Sequence, residues 1–162
     1  MNVPFVDLKA QYLSIKKEID EAIASVIAET AFVGGKYVKK FETEFSAYMG
    51  MKHCMSCANG TDTMEILLQA AGIGQGDEVI VPACSWISTS EAVSNVGATP
   101  VFVDVLPNYY TIDVNKIEEK INTKTKAIIP VHLYGLPAEM DEIMALAAKH
   151  RLFVLEDCAQ SH

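Results

Sequence analysis

Three short segments of this 162-residue chain carry side chains that could do chemistry. The first is Asn59-Gly60-Thr61-Asp62, which lies between an apolar run and a helical pattern. A glycine-containing turn that opens a helix presents free backbone N–H groups with the helix dipole behind them, and the Thr61 hydroxyl adds a donor. This combination suits a phosphate monoester. Simple helix capping is the alternative, because Asn, Thr and Asp precede helices in any protein.

The second segment contains Trp86, the only tryptophan of the chain. It follows the apolar run 78–81, just past the end of a predicted strand. At that place an indole could offer its flat face to an aromatic ligand. The alternative is a core tryptophan at the edge of the next helix.

The third segment contains Asp157 and Gln160, which follow the apolar run 152–155. A carboxylate beside apolar surroundings needs a partner, because burying it without one is costly. A protonated ring nitrogen would be such a partner, and the Gln160 amide could reach the same cavity. The alternative for Asp157 is an N-cap aspartate.

Strand and helix patterns alternate around these segments, which predicts a parallel α/β sheet with right-handed crossovers. The predicted strands are 53–58, 78–81, 100–105, 127–132 and 152–156, and the predicted helices are 61–71, 88–96, 114–121 and 139–150. Each of the three segments follows a strand, so all three should lie at one edge of the sheet. A phosphate cradle, an aromatic face and a carboxylate at one edge are what pyridoxal 5'-phosphate requires.

Two helical patterns precede the predicted sheet. Apolar residues spaced by threes and fours predict one long helix over residues 8–27, and a second helix follows over 37–49. We therefore predict an N-terminal helical segment, residues 1–50, and the first part of a large α/β domain, residues 51–162. The last predicted strand is followed by an unfinished connection, so we expect an N-terminal portion of a longer protein.

Composition limits the partners. The formal net charge is −8, which argues against a nucleic-acid or anionic-membrane surface, since both require clustered Lys and Arg. No apolar run reaches the ~18–20 residues of a membrane span. Four cysteines form no disulfide framework in a chain of this length, which favours a reducing cytoplasm.

Three other patterns are weaker. Cys54 and Cys57 form a C-x-x-C pair without the further ligands of a zinc site, so buried free thiols are expected. The glycines of the 72–76 loop precede a strand, whereas a dinucleotide fingerprint follows one. For His132, substrate contact and a hydrogen-bonded structural role both remain open.

The chain also resembles the DegT/StrS family of nucleotide-sugar aminotransferases, from Pro4-Phe5-Val6-Asp7-Leu8 to the last residue. The order and spacing of the matching blocks are specific, although each block is weak alone. These blocks are Ala58-Asn59-Gly60-Thr61-Asp62, residues 72–79, Val81-Pro82-Ala83, residues 100–105, Pro130-Val131-His132-Leu133-Tyr134-Gly135 and Glu156-Asp157-Cys158-Ala159-Gln160.

The resemblance implies the aspartate-aminotransferase fold, with a three-layer, parallel-rich sheet in a large domain that binds pyridoxal 5'-phosphate. It implies that Gly60, Thr61 and Asp62 meet the cofactor phosphate, mostly through backbone N–H groups. It further implies that Trp86 stacks on the pyridine ring. Asp157 would pair with the ring nitrogen, and Gln160 would contact the phenolic oxygen.

The expected activity of the full-length protein is amino transfer from an amino acid, with glutamate as the expected donor, to a keto group of a nucleotide-linked sugar. The family's Schiff-base lysine is expected beyond residue 162, and the small C-terminal domain is missing too, so this chain alone should be inactive. The resemblance also implies a homodimer. The alternatives are a sugar dehydratase of the same family, in which histidine replaces the lysine, and a non-catalytic cofactor-binding or regulatory module.

Overall fold

The computed structural model describes residues 3–161, which fall into two compact units, Met1–Ser56 and Cys57–His162. Each unit is described by itself below. The division into domains at residues 50 and 51 stays a prediction about the longer protein.

The first unit is helical. It contains α1 (Leu8–Ser14), α2 (Lys16–Ala28) and α3 (Lys36–Tyr48). The single helix predicted over 8–27 is therefore wrong at one point, Ile15, whose φ of −122° and ψ of 16° leave the helical region. The Ser14 hydroxyl donates to the Gln11 carbonyl at 2.7 Å, a local bond of the kind that competes with helix continuation. None of the three helices contains a buried residue.

The strand predicted over 53–58 is also wrong, because no strand pairing occurs there. The segment has no β-branched or aromatic residue to favour a strand. Instead of joining a ladder, the Ser56 N–H donates to the Glu42 carboxylate at 2.8 Å. Cys54 is half-buried and Cys57 exposed, so the expectation of buried thiols is wrong as well.

The second unit is an α/β unit. Its strands are β1 (Glu78–Pro82), β2 (Thr99–Val103), β3 (Thr125–Ile128) and β4 (Phe153–Val154), and its helices are α4 (Gly60–Ala70), α5 (Ser88–Asn95) and α6 (Met140–His150). The sheet order is β2-β1-β3-β4, and all three strand pairings are parallel. The predicted parallel α/β class is thus confirmed.

Alternate residues of the strands feed two separate apolar cores. Val79 and Val81 pack with Leu68 of α4 and Val93 of α5 on one face of the sheet. Ile80, between those valines, packs on the other face with residues that include Ile143 of α6. Both faces of the sheet are therefore covered, which gives the three layers and explains why β1 is almost wholly buried.

The connections run in opposite directions from the centre of the sheet. The chain passes from β1 outwards to β2 through α5, and from β3 outwards to β4 through α6. Since α5 and α6 contribute to different cores, the two crossovers cover different faces. Such a reversal makes a topological switch point, where open α/β sheets bind ligands at the carboxyl ends of the strands.

The helix predicted over 114–121 is replaced by two short 3-10 turns, Val114–Lys116 and Glu118–Lys120. The buried residues Val114 and Ile117 are three positions apart, which matches the three residues per turn of a 3-10 helix. The Asp113 carboxylate accepts the Asn115 N–H at 3.1 Å and fixes the start of the first turn.

Candidate functional site

One cavity of about 350 Å³ lies where the chain leaves β1 and β4 and where α4 begins. Its lining contains five of the six residues that the sequence predicted to contact the cofactor, and Asp62 is the exception. The full lining is Gly60, Thr61, Met64, Trp86, Ser88, Asp157, Ala159 and Gln160. The three predicted segments, separated by up to 100 residues, thus reach one space.

The start of α4 forms one end of this cavity. Asn59 caps the helix, with its Oδ1 accepting the Asp62 N–H at 3.0 Å and its Nδ2 donating to the Asp62 carboxylate at 3.0 Å. The Asp62 N–H is therefore already used. The Gly60 and Thr61 N–H groups, by contrast, have no acceptor within the described part of the chain, as is normal for the first turn of a helix. These two groups make the cavity end suitable for an anion.

A second hydroxyl group lies beside this turn. The Thr61 hydroxyl donates to Ser88 Oγ, in the first turn of α5, at 2.8 Å. The proton of the Ser88 hydroxyl meets no acceptor among residues 3–161. Ser88 is thus a cavity donor that the sequence reasoning missed. The signal was its place in the first helical turn after β1, which is the position that the 58–63 segment holds before α4.

Trp86 is not a core residue, since 76% of its surface is exposed. It lies between β1 and α5 and lines the cavity with its ring. The indole is therefore available as a flat face for a planar ligand.

The main chain of Asp157 is held in a strand-like pairing. Its N–H donates to the Pro130 carbonyl at 2.9 Å, and its carbonyl accepts the His132 N–H at 3.1 Å. Its carboxylate accepts two further bonds, to Oδ1 from the Ala159 N–H at 3.1 Å and to Oδ2 from the Thr89 hydroxyl at 3.2 Å. The half-buried carboxylate is thus fixed from several directions where it lines the cavity.

The Gln160 side chain is oriented by a backbone donor. Its Oε1 accepts the N–H of Tyr134 at 2.5 Å, which leaves the amide NH₂ group as its free donor. Tyr134 has a φ of 57° and Gly135 a φ of 84°, so the backbone reverses sharply there. A Cβ on Gly135 would lie 3.4 Å from the Gln160 carbonyl oxygen, so the two segments approach closely.

Next to the cavity, His132, Glu156 and Cys158 bring three potential metal ligands within 4.8 Å of one another. The hydrogen bonds of the buried His132 argue against a metal. Its Nδ1 accepts the Ala138 N–H at 3.1 Å, so the proton is on Nε2, which donates to Glu156 at 2.9 Å. A metal on Nε2 would require the proton on Nδ1, where it would face another N–H. His132 is therefore a hydrogen-bonded structural residue.

The neighbouring Cys158 thiol also disfavours metal binding. Partial burial raises its pKa, and the nearby Glu156 carboxylate raises it further. A thiol must lose its proton to bind a metal, and both effects oppose that loss.

The comparisons with known proteins agree with this fold and site. Residues 13–162 match the model of the DegT/DnrJ/EryC1/StrS aminotransferase family. Since the match covers most of the chain, the chain belongs to this family. No helix within residues 3–161 has both the length and the apolar character that crossing a membrane would require.

Two curated relatives and one solved structure illustrate the similarity. A UDP-N-acetyl-3-dehydro-α-D-glucosamine 3-aminotransferase from Acidithiobacillus ferrooxidans is 49% identical over 98% of the chain, and a "pleiotropic regulatory protein" from Geobacillus stearothermophilus is 47% identical over 99% of it. The chain spans 43% of the length of each. The crystal structure of NtdA from Bacillus subtilis, with bound pyridoxamine 5'-phosphate (PMP), superposes with a TM-score of 0.92 at 37% identity over 99% of the chain and 37% of that protein.

Proposed function

We propose that the protein to which this chain belongs is a pyridoxal 5'-phosphate-dependent aminotransferase. It would move an amino group from an amino acid, with glutamate as the proposed donor, to a keto group of a nucleotide-linked sugar. The observation that carries the proposal is the single cavity that gathers Thr61, Trp86, Asp157 and Gln160. The B. subtilis relative that binds PMP supports the choice of cofactor.

The lining residues fit the parts of this cofactor. The free N–H groups of Gly60 and Thr61, with the Ser88 hydroxyl, would hold the phosphate. Trp86 would cover one face of the pyridine ring, and Asp157 would accept the proton of the ring nitrogen in an ion pair. Because Gln160 has its oxygen bonded to Tyr134, its amide NH₂ would donate to the phenolic oxygen. We assign no cofactor contact to the Asp62 N–H, which is already bonded to Asn59.

When bound, the cofactor supplies an electron sink that stabilises negative charge at the carbon next to the reacting amino group. Asp157 sustains that property, because an ion pair favours the charged form of both partners and so keeps a proton on the ring nitrogen. Trp86 shields one face of the ring from water. No lysine of the described residues lines the cavity. We therefore propose that the proton at the reacting carbon is moved by a lysine outside this chain, and that the chain alone is inactive.

The substrate class follows from the names of relatives, including the A. ferrooxidans enzyme, which acts on a UDP-linked keto sugar by its name. No observation favours a sugar dehydratase over the aminotransferase. We also infer that the full-length protein is a homodimer in the cytoplasm. The apolar residues exposed on α1 and α2 support an association, and the four free cysteines support a reducing compartment.

The test uses the full-length protein. Addition of pyridoxal 5'-phosphate should produce an absorbance band of the bound cofactor, and glutamate should then shift it. Asp157→Asn should lower the rate of the shift by about 100-fold or more, as expected when a charged contact to the reacting group is lost. Asp104→Asn is the matched control, because Asp104 also follows a strand of the sheet but is exposed and pairs with Lys116. Absence of a cofactor band would refute the proposal.

A regulatory role is a second candidate, because the G. stearothermophilus relative is named a regulatory protein. The same experiment separates the two. A protein that binds the cofactor but shows no spectral change with any amino-acid donor would fit the regulatory candidate.

A further inference from the structure

Helix α5 contains hydroxyl side chains of two kinds. Ser90 donates to the Ile87 carbonyl at 3.1 Å and Ser94 donates to the Ser90 carbonyl at 3.2 Å, so both bond to nearby backbone in the common way. Thr89 differs from them. Its hydroxyl contacts the carboxylate of Asp157, which is 68 residues away in the sequence, at 3.2 Å.

The direction of the bonds at Thr89 follows from what each group can do. An ionised carboxylate only accepts, so the Thr89 hydroxyl donates its single proton to Asp157 Oδ2. The Ser85 hydroxyl lies 3.0 Å from Thr89 Oγ1 and must then be the donor to it. The result is a short relay in which Ser85 donates to Thr89 and Thr89 donates to Asp157.

Burial makes this arrangement significant. Only 2% of the Thr89 surface is exposed, and a buried hydroxyl is retained at a cost unless it is bonded. Valine has nearly the same shape and would avoid that cost. The two carboxylate oxygens of Asp157 accept one bond each, from Thr89 and from the Ala159 N–H. Since each oxygen can accept two, both keep capacity for a ligand in the cavity.

We propose that Thr89, supported by Ser85, is a positioning residue that holds the Asp157 carboxylate in the orientation needed to pair with the ring nitrogen of the cofactor. This inference rests on the proposed function. Thr89 itself does not line the main cavity, and it acts through Asp157. Its neighbour Ser88 contacts Thr61, so successive residues of one helical turn reach both ends of the site.

The experiment compares variants of the full-length protein loaded with pyridoxal 5'-phosphate. Thr89→Val removes the hydroxyl and keeps the shape, Thr89→Ser keeps the hydroxyl, and Ser94→Ala removes a hydroxyl of the same helix that bonds only to backbone. The readouts are the dissociation constant of the cofactor and its induced circular dichroism, which reports how rigidly the ring is held. We expect Thr89→Val to raise the dissociation constant about tenfold and to weaken the dichroism, as for loss of a hydrogen bond to a charged group. Thr89→Ser should lie within about twofold of wild type, and Ser94→Ala should equal it.

The outcomes are distinct. Wild-type protein without cofactor binding would overturn the proposed function itself. If wild type binds and Thr89→Val matches it in both readouts, only the role of Thr89 is overturned. If Thr89→Ser is as impaired as Thr89→Val, the residue acts through packing and the inference is wrong. Should Thr89→Val fail to fold, Ser85→Ala decides: a rise of about two- to threefold supports the relay, and an unchanged constant refutes it.

Discussion

The N-terminal helical unit and the α/β unit carry similar apolar patterns but bury them to very different degrees. Isoleucines recur every four residues along α2 and its cap, and each is 38% to 57% exposed: Ile15, Ile19, Ile23 and Ile27. Isoleucines of the α/β unit are fully buried, among them Ile80, Ile112, Ile117, Ile128 and Ile143. The comparison teaches that periodicity identifies the apolar side of an element, whereas burial depends on what a second element supplies.

The largest effect should come from the buried side of this comparison. Ile128→Ala removes a side chain with no exposed surface from the centre of the sheet, and it should lower the free energy of unfolding by about 2–5 kcal/mol. Urea unfolding followed by circular dichroism measures the change. A loss below about 1 kcal/mol would mean that the core on this face relaxes around the cavity.

The cap of α4 should have the next largest effect. Asn59→Ala removes the acceptor of the Asp62 N–H and should cost about 1 kcal/mol, because α4 carries Met64 and Leu68 into the core. Asn59→Ser keeps an acceptor and serves as the control. Equal losses for both variants in the same unfolding experiment would show that the cap bond is not the cause.

A smaller effect, dependent on pH, is expected at Glu118. Hydrogen bonds from Lys149, at 2.5 Å, and from His150, at 3.0 Å, lower the pKa of the Glu118 carboxyl. A carboxyl with a lowered pKa in the folded protein stabilises the fold above its unfolded value of about 4.3, and that contribution disappears as the pH falls through the folded value. Glu118→Gln should therefore be less stable than wild type at about pH 7 and equal to it at about pH 2. The difference should also shrink in 1 M salt, since these side chains are exposed. A difference independent of pH and salt would contradict this account.

The smallest effect should come from the exposed side of the comparison. Ile23→Ala changes a residue that is 54% exposed, and alanine is the better helix former, so the free energy of unfolding should change by less than about 0.5 kcal/mol. Ile128→Ala is its matched counterpart with the same atoms removed. A loss of 2 kcal/mol or more for Ile23→Ala would show that another surface covers this helix in solution.

The strands of the sheet were predictable because β1 to β4 are apolar runs with clear boundaries. The errors have local causes that periodicity does not contain: the Ser14 hydroxyl bond beside the α1–α2 break, the Glu42 carboxylate that binds the Ser56 N–H, and the 3-10 spacing of Val114 and Ile117. Each depends on one side chain or on a spacing that two helix types share.

For the site, the residues at strand ends were predictable, because parallel strands bring their carboxyl ends to one edge. Ser88 and Thr89 were not singled out, since Ser88-Thr89-Ser90 looks like any polar helix start. Their role depends on contacts with Thr61 and Asp157, which are 27 and 68 residues away. Such pairings exist only once the chain has folded.

The first turn of α5 has one more consequence. Ser88 contacts the anion end of the cavity and Thr89 the acid end, and their Cα atoms are held about 3.8 Å apart by a single peptide unit. Neither contact can move without the other. The turn therefore works as a caliper: a molecule that is too short or too long between its negatively charged tail and its basic ring atom meets one jaw and misses the other.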